Sequence, residues 1–187
     1  SNEGGTVMST VIVLGVQWGD EGKGKVTDFL AASADVVIRC QGGNNAGHTV
    51  VVGDACHKMH LIPAGILNPD ATCVIGNGVV VDIEVLLEEV RHLQEQNIPM
   101  GKLLLSDRSH LIMPYHKKLD ELQEKLKGDK KIGTTKRGIG PAYIDKVART
   151  GIRMGDLLNP ENFKQKLIAN LEEKNHLFAS YGEETMD

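Results

Sequence analysis

The feature that most constrains the fold is a Gly-rich run, Gln17-Trp18-Gly19-Asp20-Glu21-Gly22-Lys23-Gly24-Lys25, set between two segments of different periodicity. Before it, Val11-Ile12-Val13-Leu14 is a short, β-branched apolar stretch ending at Gly15, which reads as a buried parallel strand. After it, Lys25 to Ala32 reads as a helix, with Val26, Phe29 and Leu30 at positions i, i+3 and i+4. Gly19 to Lys25 fits the first seven positions of the phosphate-loop pattern GxxxxGK[ST]. Glycines let backbone N–H groups turn inward, and the helix N-terminus attracts anions. Val26 stands where the pattern places a magnesium-binding hydroxyl. Asp20 and Glu21 suit a loop that must also handle a metal or a proton. A tight strand-to-helix turn with solvated charges would account for the glycines but gives the acidic pair no task.

Two further loops have compositions that fit the first. Asp35 to Arg39 reads as a second buried strand, and Gln41-Gly42-Gly43-Asn44-Asn45-Ala46-Gly47-His48 follows it. Loops after parallel strands gather at one sheet edge, where α/β proteins bind ligands. Asn44 and Asn45 offer amide donors and acceptors, and His48 can donate a hydrogen bond to developing negative charge. The third segment, Gly133-Thr134-Thr135-Lys136-Arg137-Gly138-Ile139-Gly140-Pro141, sets hydroxyls beside cations between glycines. It reads as a polar loop from Gly128 to Pro141, suited either to phosphate or to solvent. Arg149 is a candidate phosphate clamp or a residue on a solvated helix face. Cys56, His57 and His60 hint at a metal, but no second cluster completes a tetrahedral set.

The remaining pattern alternates strands and helices. Thr49 to Val52 pairs across Gly53-Asp54 with a segment ending at Leu61-Ile62. Thr72 to Ile75 and Leu103 to Leu105 read as strands. Asp82 can cap a helix from Ile83 to Gln96 with Leu86, Val90 and Leu93 on one stripe. Leu119, Leu122 and Leu126 mark another helix. Asn159-Pro160 opens a last one, with Phe163, Leu167 and Leu171 spaced by four. The fold class is α/β, a largely parallel central sheet flanked by helices, with a P-loop-like phosphate-binding loop after the first strand.

Composition narrows the function classes. With 187 residues and a net charge of −4, the chain lacks the basic face of a general nucleic-acid or membrane-surface binder, so any phosphate site is local. Three cysteines with no CxxC pair do not make a disulfide framework and fit a reducing, cytoplasmic setting. Residues 1–7 read as a cloning remnant before Met8.

Together these segments resemble the adenylosuccinate synthetases. The first loop is similar to one family signature, and Gln41 to Thr49 to a second. Leu61-Ile62-Pro63-Ala64-Gly65-Ile66-Leu67, Ile75-Gly76-Asn77-Gly78-Val79-Val80, Gly133-Thr134-Thr135, Arg137 to Tyr143 and Asp145 to Arg149 also match. The resemblance implies that residues 8–187 are the N-terminal part of a single larger α/β nucleotide-binding catalytic domain. It implies a GTP-dependent carbon–nitrogen ligase joining L-aspartate to inosine monophosphate (IMP) through a 6-phosphoryl intermediate. Asp20 would be the general base and His48 the general acid. Gly19, Asp20, Glu21, Gly22, Lys23, Gly24, Lys25, Gly47, His48 and Thr49 would cradle GTP. Asp20 to Lys23, Asn45, Ala46, Gly47, His48, Thr135 and Arg149 would touch IMP. Asp20 and the Gly47 carbonyl would hold Mg2+, and Arg149 would reach the neighbouring subunit's site in a homodimer. The alternatives are a non-catalytic purine-nucleotide-binding module, which would not need both Asp20 and His48, and a different P-loop-like phosphotransferase, which should carry Ser or Thr at Val26.

Overall fold

The computed structural model describes residues 9–15, 23–45, 47–52, 55–126 and 135–187, with the main chain alone at residues 24, 25, 48, 50–52 and 55–57. The architecture is organised by one strand. Thr72–Val81 (β4) is ten residues of largely β-branched sequence, and its Cys73, Ile75, Val79, Val80 and Val81 are all buried. Val36–Gly42 (β1) lies parallel along one side of it and Lys102–Leu105 (β5) along the other. His110–Leu111 (β6) pairs parallel with Val80 and Val81, prolonging the sheet at the C-terminal end of β4. Between β1 and β4 the register shifts from Arg39 to Gln41, so the end of β1 bends away from a straight ladder. His48–Val52 (β2) and Ala55–Met59 (β3) form a separate antiparallel hairpin, with His48 opposite Met59.

The helices follow from capping and spacing. Ile83–Glu95 (α2) starts at Asp82, whose carboxylate accepts the Val85 N–H at 3.5 Å. Its Leu86 and Leu93 are buried against the sheet with Ile62, Ile66 and Ile75, each such side chain contributing roughly 1.5–3 kcal/mol. Pro114–Leu126 (α3) buries Tyr115, Leu119 and Leu122 against Phe178 of the last helix, Pro160–Ser180 (α5). Asn159 caps α5 by accepting the Asn162 N–H at 3.1 Å, with Pro160 at the first helical position. Lys23–Ala31 (α1) follows the Gly-rich loop, and Ile139–Ala148 (α4) packs on α3. A 3-10 turn, Met154–Leu158, joins α4 to α5. Among the described residues no helix is long and apolar enough to cross a membrane.

Several expectations need correction. Val11 to Leu14 is not a buried strand: no described strand pairs with it, and Val11, Ile12 and Leu14 are 67%, 76% and 72% exposed. A β-branched run becomes a strand only when a ladder and a covering layer meet it, and the described residues supply neither. Helix α1 and strand β1 form, the latter paired with β4, but their apolar faces are incompletely covered: Phe29 is 81% exposed, and Val36 and Ile38 point to solvent while Val37 is buried. The segment read as loop through Pro141 is helical from Ile139, because proline is tolerated in a first turn. On α5 the buried positions are Asn170, Lys174 and Phe178, while Phe163, Leu167 and Leu171 are half-buried. Residues 1–7, the loop residues 16–22, the turn at Gly53-Asp54 and residues 127–134 lie outside the described residues.

Candidate active site

The C-terminal ends of β1 and β4 open onto a cleft of about 560 Å³, lined by Asn44, Lys58, His60, Asp82, Glu89, Lys136 and Arg137 among others. Five segments converge there by named contacts. The Arg137 guanidinium donates to the Asn44 carbonyl, and that of Arg39 to the carbonyls of Gly43 and His60. Asp82 caps α2, receives the Lys117 ammonium from α3 at 2.9 Å and lies 3.5 Å from the Asn44 amide nitrogen. Glu89 on α2 accepts the backbone N–H groups of His60, Leu61 and Ile62 at 2.5 to 3.1 Å, holding the exit of the hairpin against the cleft.

The electrostatics are mixed in sign and locally cationic. Lys58 and Lys136 are exposed at the rim. Burial would lower the Lys117 ammonium, but hydrogen bonds from it to Asp82 and Glu84 hold its pKa above the ordinary value. Burial lowers that of Arg39 despite the nearby Glu89 carboxylate. Asn44 is 2% exposed, and its side-chain oxygen has no hydrogen-bond partner among the described residues. An unmet acceptor beside basic side chains suits a ligand that presents both anionic oxygens and an N–H.

Tyr143 fastens the third segment to the second. Its hydroxyl accepts the Gly42 N–H at 2.9 Å and donates to the Gly78 carbonyl at 2.7 Å, spanning the ends of β1 and β4. Gly138 opens α4 with φ 74°, and a Cβ there would come within 2.8 Å of the α3 backbone at His116. Only glycine fits both the left-handed conformation and that close approach. Asp120 accepts the Gly138 N–H at 2.9 Å.

The site residues expected from sequence fall into three groups. Asn45, Gly47, Thr49 and Thr135 are exposed around the cleft-side loops, and His48 opens β2 opposite Met59. A side chain on Gly47 would meet Lys58 and His60 within 3.3 Å, so glycine leaves the main chain bare beside two basic groups. Lys23 is exposed at the start of α1, its side chain folded against Gly15, and Gly24 and Lys25 continue that helix. Arg149 sits apart, at the other end of α4 from the cleft, a ten-residue helix or about 15 Å away. Gly19, Asp20, Glu21, Gly22 and Ala46 lie outside the described residues. Among the described residues no group of three His, Cys, Asp or Glu side chains could hold a metal.

Sequence reasoning missed the residues that assemble these loops. Asp82 is legible as a helix cap, but not as the partner of Lys117 and Asn44. Glu89 lies on the buried stripe of α2 with Leu86 and Leu93, and nothing local in the sequence names the three backbone N–H groups that it accepts. Tyr143 is an isolated aromatic in the sequence, and its partners are 101 and 65 residues away.

The model of the adenylosuccinate synthetase family matches residues 12–187. The chain is 64% identical over 178 residues to the adenylosuccinate synthetase of Carboxydothermus hydrogenoformans, covering 95% of this chain and 42% of that protein. It is 61% identical over 171 residues to that of Bacillus cereus, covering 91% and 40%. The solved structure of fully ligated adenylosuccinate synthetase from Plasmodium falciparum superposes with a TM-score of 0.78 at 43% identity, over 89% of this chain and 39% of that one. The chain thus spans about two fifths of the length of these relatives. With a family match that takes in every motif of the cleft, this chain belongs to the adenylosuccinate synthetases.

Proposed function

We propose that residues 8–187 are the N-terminal part of one larger α/β catalytic domain, and that the full-length protein joins L-aspartate to IMP at the expense of GTP. The products are adenylosuccinate, GDP and phosphate, a step of AMP synthesis carried out in the cytoplasm. The observation that carries this reading is the unbroken family match from residue 12 to residue 187.

The 6-oxygen of IMP is an amide-like carbonyl and a poor nucleophile. Asp20 takes the N1 proton, which moves charge onto that oxygen. The oxygen attacks the γ-phosphorus of GTP, the bond to the β-bridging oxygen breaks, and GDP leaves. His48 donates a hydrogen bond to the phosphoryl and leaving oxygens as charge builds there. The amine of L-aspartate then displaces phosphate from the purine carbon. Positioning and charge stabilisation supply most of the acceleration in such a transfer. Gly19, Asp20, Glu21, Gly22, Lys23, Gly24, Lys25, Gly47, His48 and Thr49 cradle GTP. Asp20, Glu21, Gly22, Lys23, Asn45, Ala46, Gly47, His48 and Thr135 face IMP. Mg2+ would be held by Asp20 and the Gly47 carbonyl and would neutralise phosphate charge. The bare main chain at Gly47 is compatible with a carbonyl ligand.

Arg149 completes the IMP site of a neighbouring copy in a homodimer. Two features support this: it lies a helix length from its own cleft, and Ile144 and Val147 on the same helix are 59% and 80% exposed. The test is to follow adenylosuccinate formation by the full-length protein with IMP, L-aspartate, GTP and magnesium, and to repeat it with Asp20→Asn. We expect turnover in the first case. In the second, GTP affinity should be retained and the rate should fall by about 10²–10⁴. Unchanged turnover in the variant would remove Asp20 as the base.

A further inference from the structure

A buried, cross-linked polar set on α3, α4 and α5 lies behind Arg149. Asp145 on α4 is 2% exposed, His116 on α3 is 1% exposed and Lys174 on α5 is 6% exposed. His116 Nδ1 accepts the Met113 N–H at 2.9 Å, which leaves the ring proton on Nε2, and that nitrogen donates to Asp145 Oδ2 at 3.0 Å. The Lys174 ammonium donates to Asp145 Oδ1 at 2.8 Å. One carboxylate therefore ties three helices together.

The main chain of the same residue closes the turn that carries Arg149. The Asp145 carbonyl accepts the Thr150 and Gly151 N–H groups at 3.0 and 3.1 Å, while the Arg149 N–H bonds the Lys146 carbonyl at 3.3 Å. Arg149 itself stands at φ 65° and ψ 23°, a left-handed conformation that an arginine rarely adopts. Asn170, one turn before Lys174 on α5 and 4% exposed, donates to the Thr150 carbonyl at 3.0 Å. So α5 grips the turn at two points, through Lys174 at the Asp145 side chain and through Asn170 just past Arg149.

A buried ion pair is a weak device for stability, since well-packed apolar residues of similar volume often do as well or better. It fixes geometry instead, and here all of its bonds meet at one turn. We infer that Asp145, His116, Lys174 and Asn170 are positioning residues that present the Arg149 guanidinium to a nucleotide phosphate. The inference rests on the proposed role of Arg149 and assigns that role its supports. All four side chains are under 7% exposed. They act by holding the turn in the left-handed conformation before the nucleotide arrives, so that no binding energy goes into forming it.

The experiment is steady-state kinetics on the full-length protein, varying IMP and GTP separately, for Lys174→Met, Asn170→Ala, Arg149→Leu and the two double variants with Arg149→Leu. We expect Lys174→Met to raise KM for IMP by about tenfold, with kcat and KM for GTP within about twofold of the parent. Added to Arg149→Leu, it should raise KM for IMP no further. Asn170→Ala, which keeps the ion pair, should act in the same direction by about threefold and serves if Lys174→Met does not fold. Equal rises in both KM values, or full additivity with Arg149→Leu, would reduce the set to structural residues and overturn the inference while leaving Arg149 in its role. An Arg149→Leu variant with unchanged KM for IMP would overturn the role and the inference together.

Discussion

The two flanks of β4 are built on opposite terms. On one side, α3, α4 and α5 are joined by buried polar bonds, with Asp145, His116, Lys174 and Asn170 all under 7% exposed. On the other, Val11 to Leu14, Phe29 of α1 and Val36 and Ile38 of β1 carry apolar side chains into solvent. The polar flank is closed and the apolar flank is open, the reverse of what side-chain chemistry alone would choose. The relatives are more than twice as long as this chain, so the cover of this flank can be compared between this chain and the full-length protein. The end carrying Arg149 is thus fixed by contacts within the described residues, whereas Val11 to Leu14 is paired by no described strand.

The largest expected effect falls on the closed flank. Asp145→Asn leaves the Lys174 ammonium buried without its main counter-charge, and Glu173 at 2.9 Å recovers only part of the loss. Chemical denaturation of this chain should show a destabilisation of roughly 3 kcal/mol, and a loss below 1 kcal/mol would mean that the flank is held by packing alone.

A second effect is pH-dependent. His110, 5% exposed at the junction of β6 and the 3-10 turn, has its pKa pushed down to about 4 by burial, reinforced by Lys146 and Arg153. The folded state then prefers the neutral ring, so stability is intact above the unfolded value of about 6.5 and falls as pH drops from there toward 4. The total loss on this account is up to about 3 kcal/mol, read from unfolding midpoints across that window, and His110→Gln should flatten the slope. Hydrogen bonds from His116 and Lys174 outweigh burial and hold the Asp145 carboxyl below its ordinary value. Its stabilisation is therefore kept above the usual carboxylate range and lost only at still lower pH.

A smaller effect tests the start of α5. Asn159→Ala removes the bond to the Asn162 N–H and should lower stability by about 1 kcal/mol in the same denaturation assay. The smallest belongs to the open flank. Phe29→Ser should change the stability of this 187-residue chain by no more than about 0.5 kcal/mol, because the ring is not packed here. In the full-length protein the same change should cost roughly 3 kcal/mol if the flank is covered there. Equal effects in the two lengths would erase the contrast.

Where the sequence was legible, local rules and tertiary demands agreed. Asp82 before a stripe of Leu86, Val90 and Leu93 gave α2, and Asn159-Pro160 gave α5, because capping and periodicity act within a few residues. The hairpin around residues 53 and 54 was legible for the same reason. Helix α4 was hidden because Gly138 and Pro141 read as punctuation, although one supplies a left-handed cap and the other a tolerated first turn. Within the candidate site, the Asn44, Gly47 and Arg137 loops were marked by their glycines and polar side chains. The bonds that join them were not, because Arg137 and Asn44 are 93 residues apart and no local pattern pairs them. The Val11 to Leu14 run failed in the opposite direction, since its pattern was sound and its ladder is not supplied by these residues.

The hydroxyl of Tyr143 also bears on the expected order of folding. The β2–β3 hairpin closes over a handful of residues and can form early, and the β4–α2–β5 crossover follows within a span of 34 residues. The bonds from Tyr143 to the ends of β1 and β4 bridge 101 and 65 residues, and such distant closure is entropically favourable only after the intervening elements have docked. We expect the cleft to assemble after the sheet, and a chain that has acquired its sheet but not this latch would have the strands of the fold without the site between them.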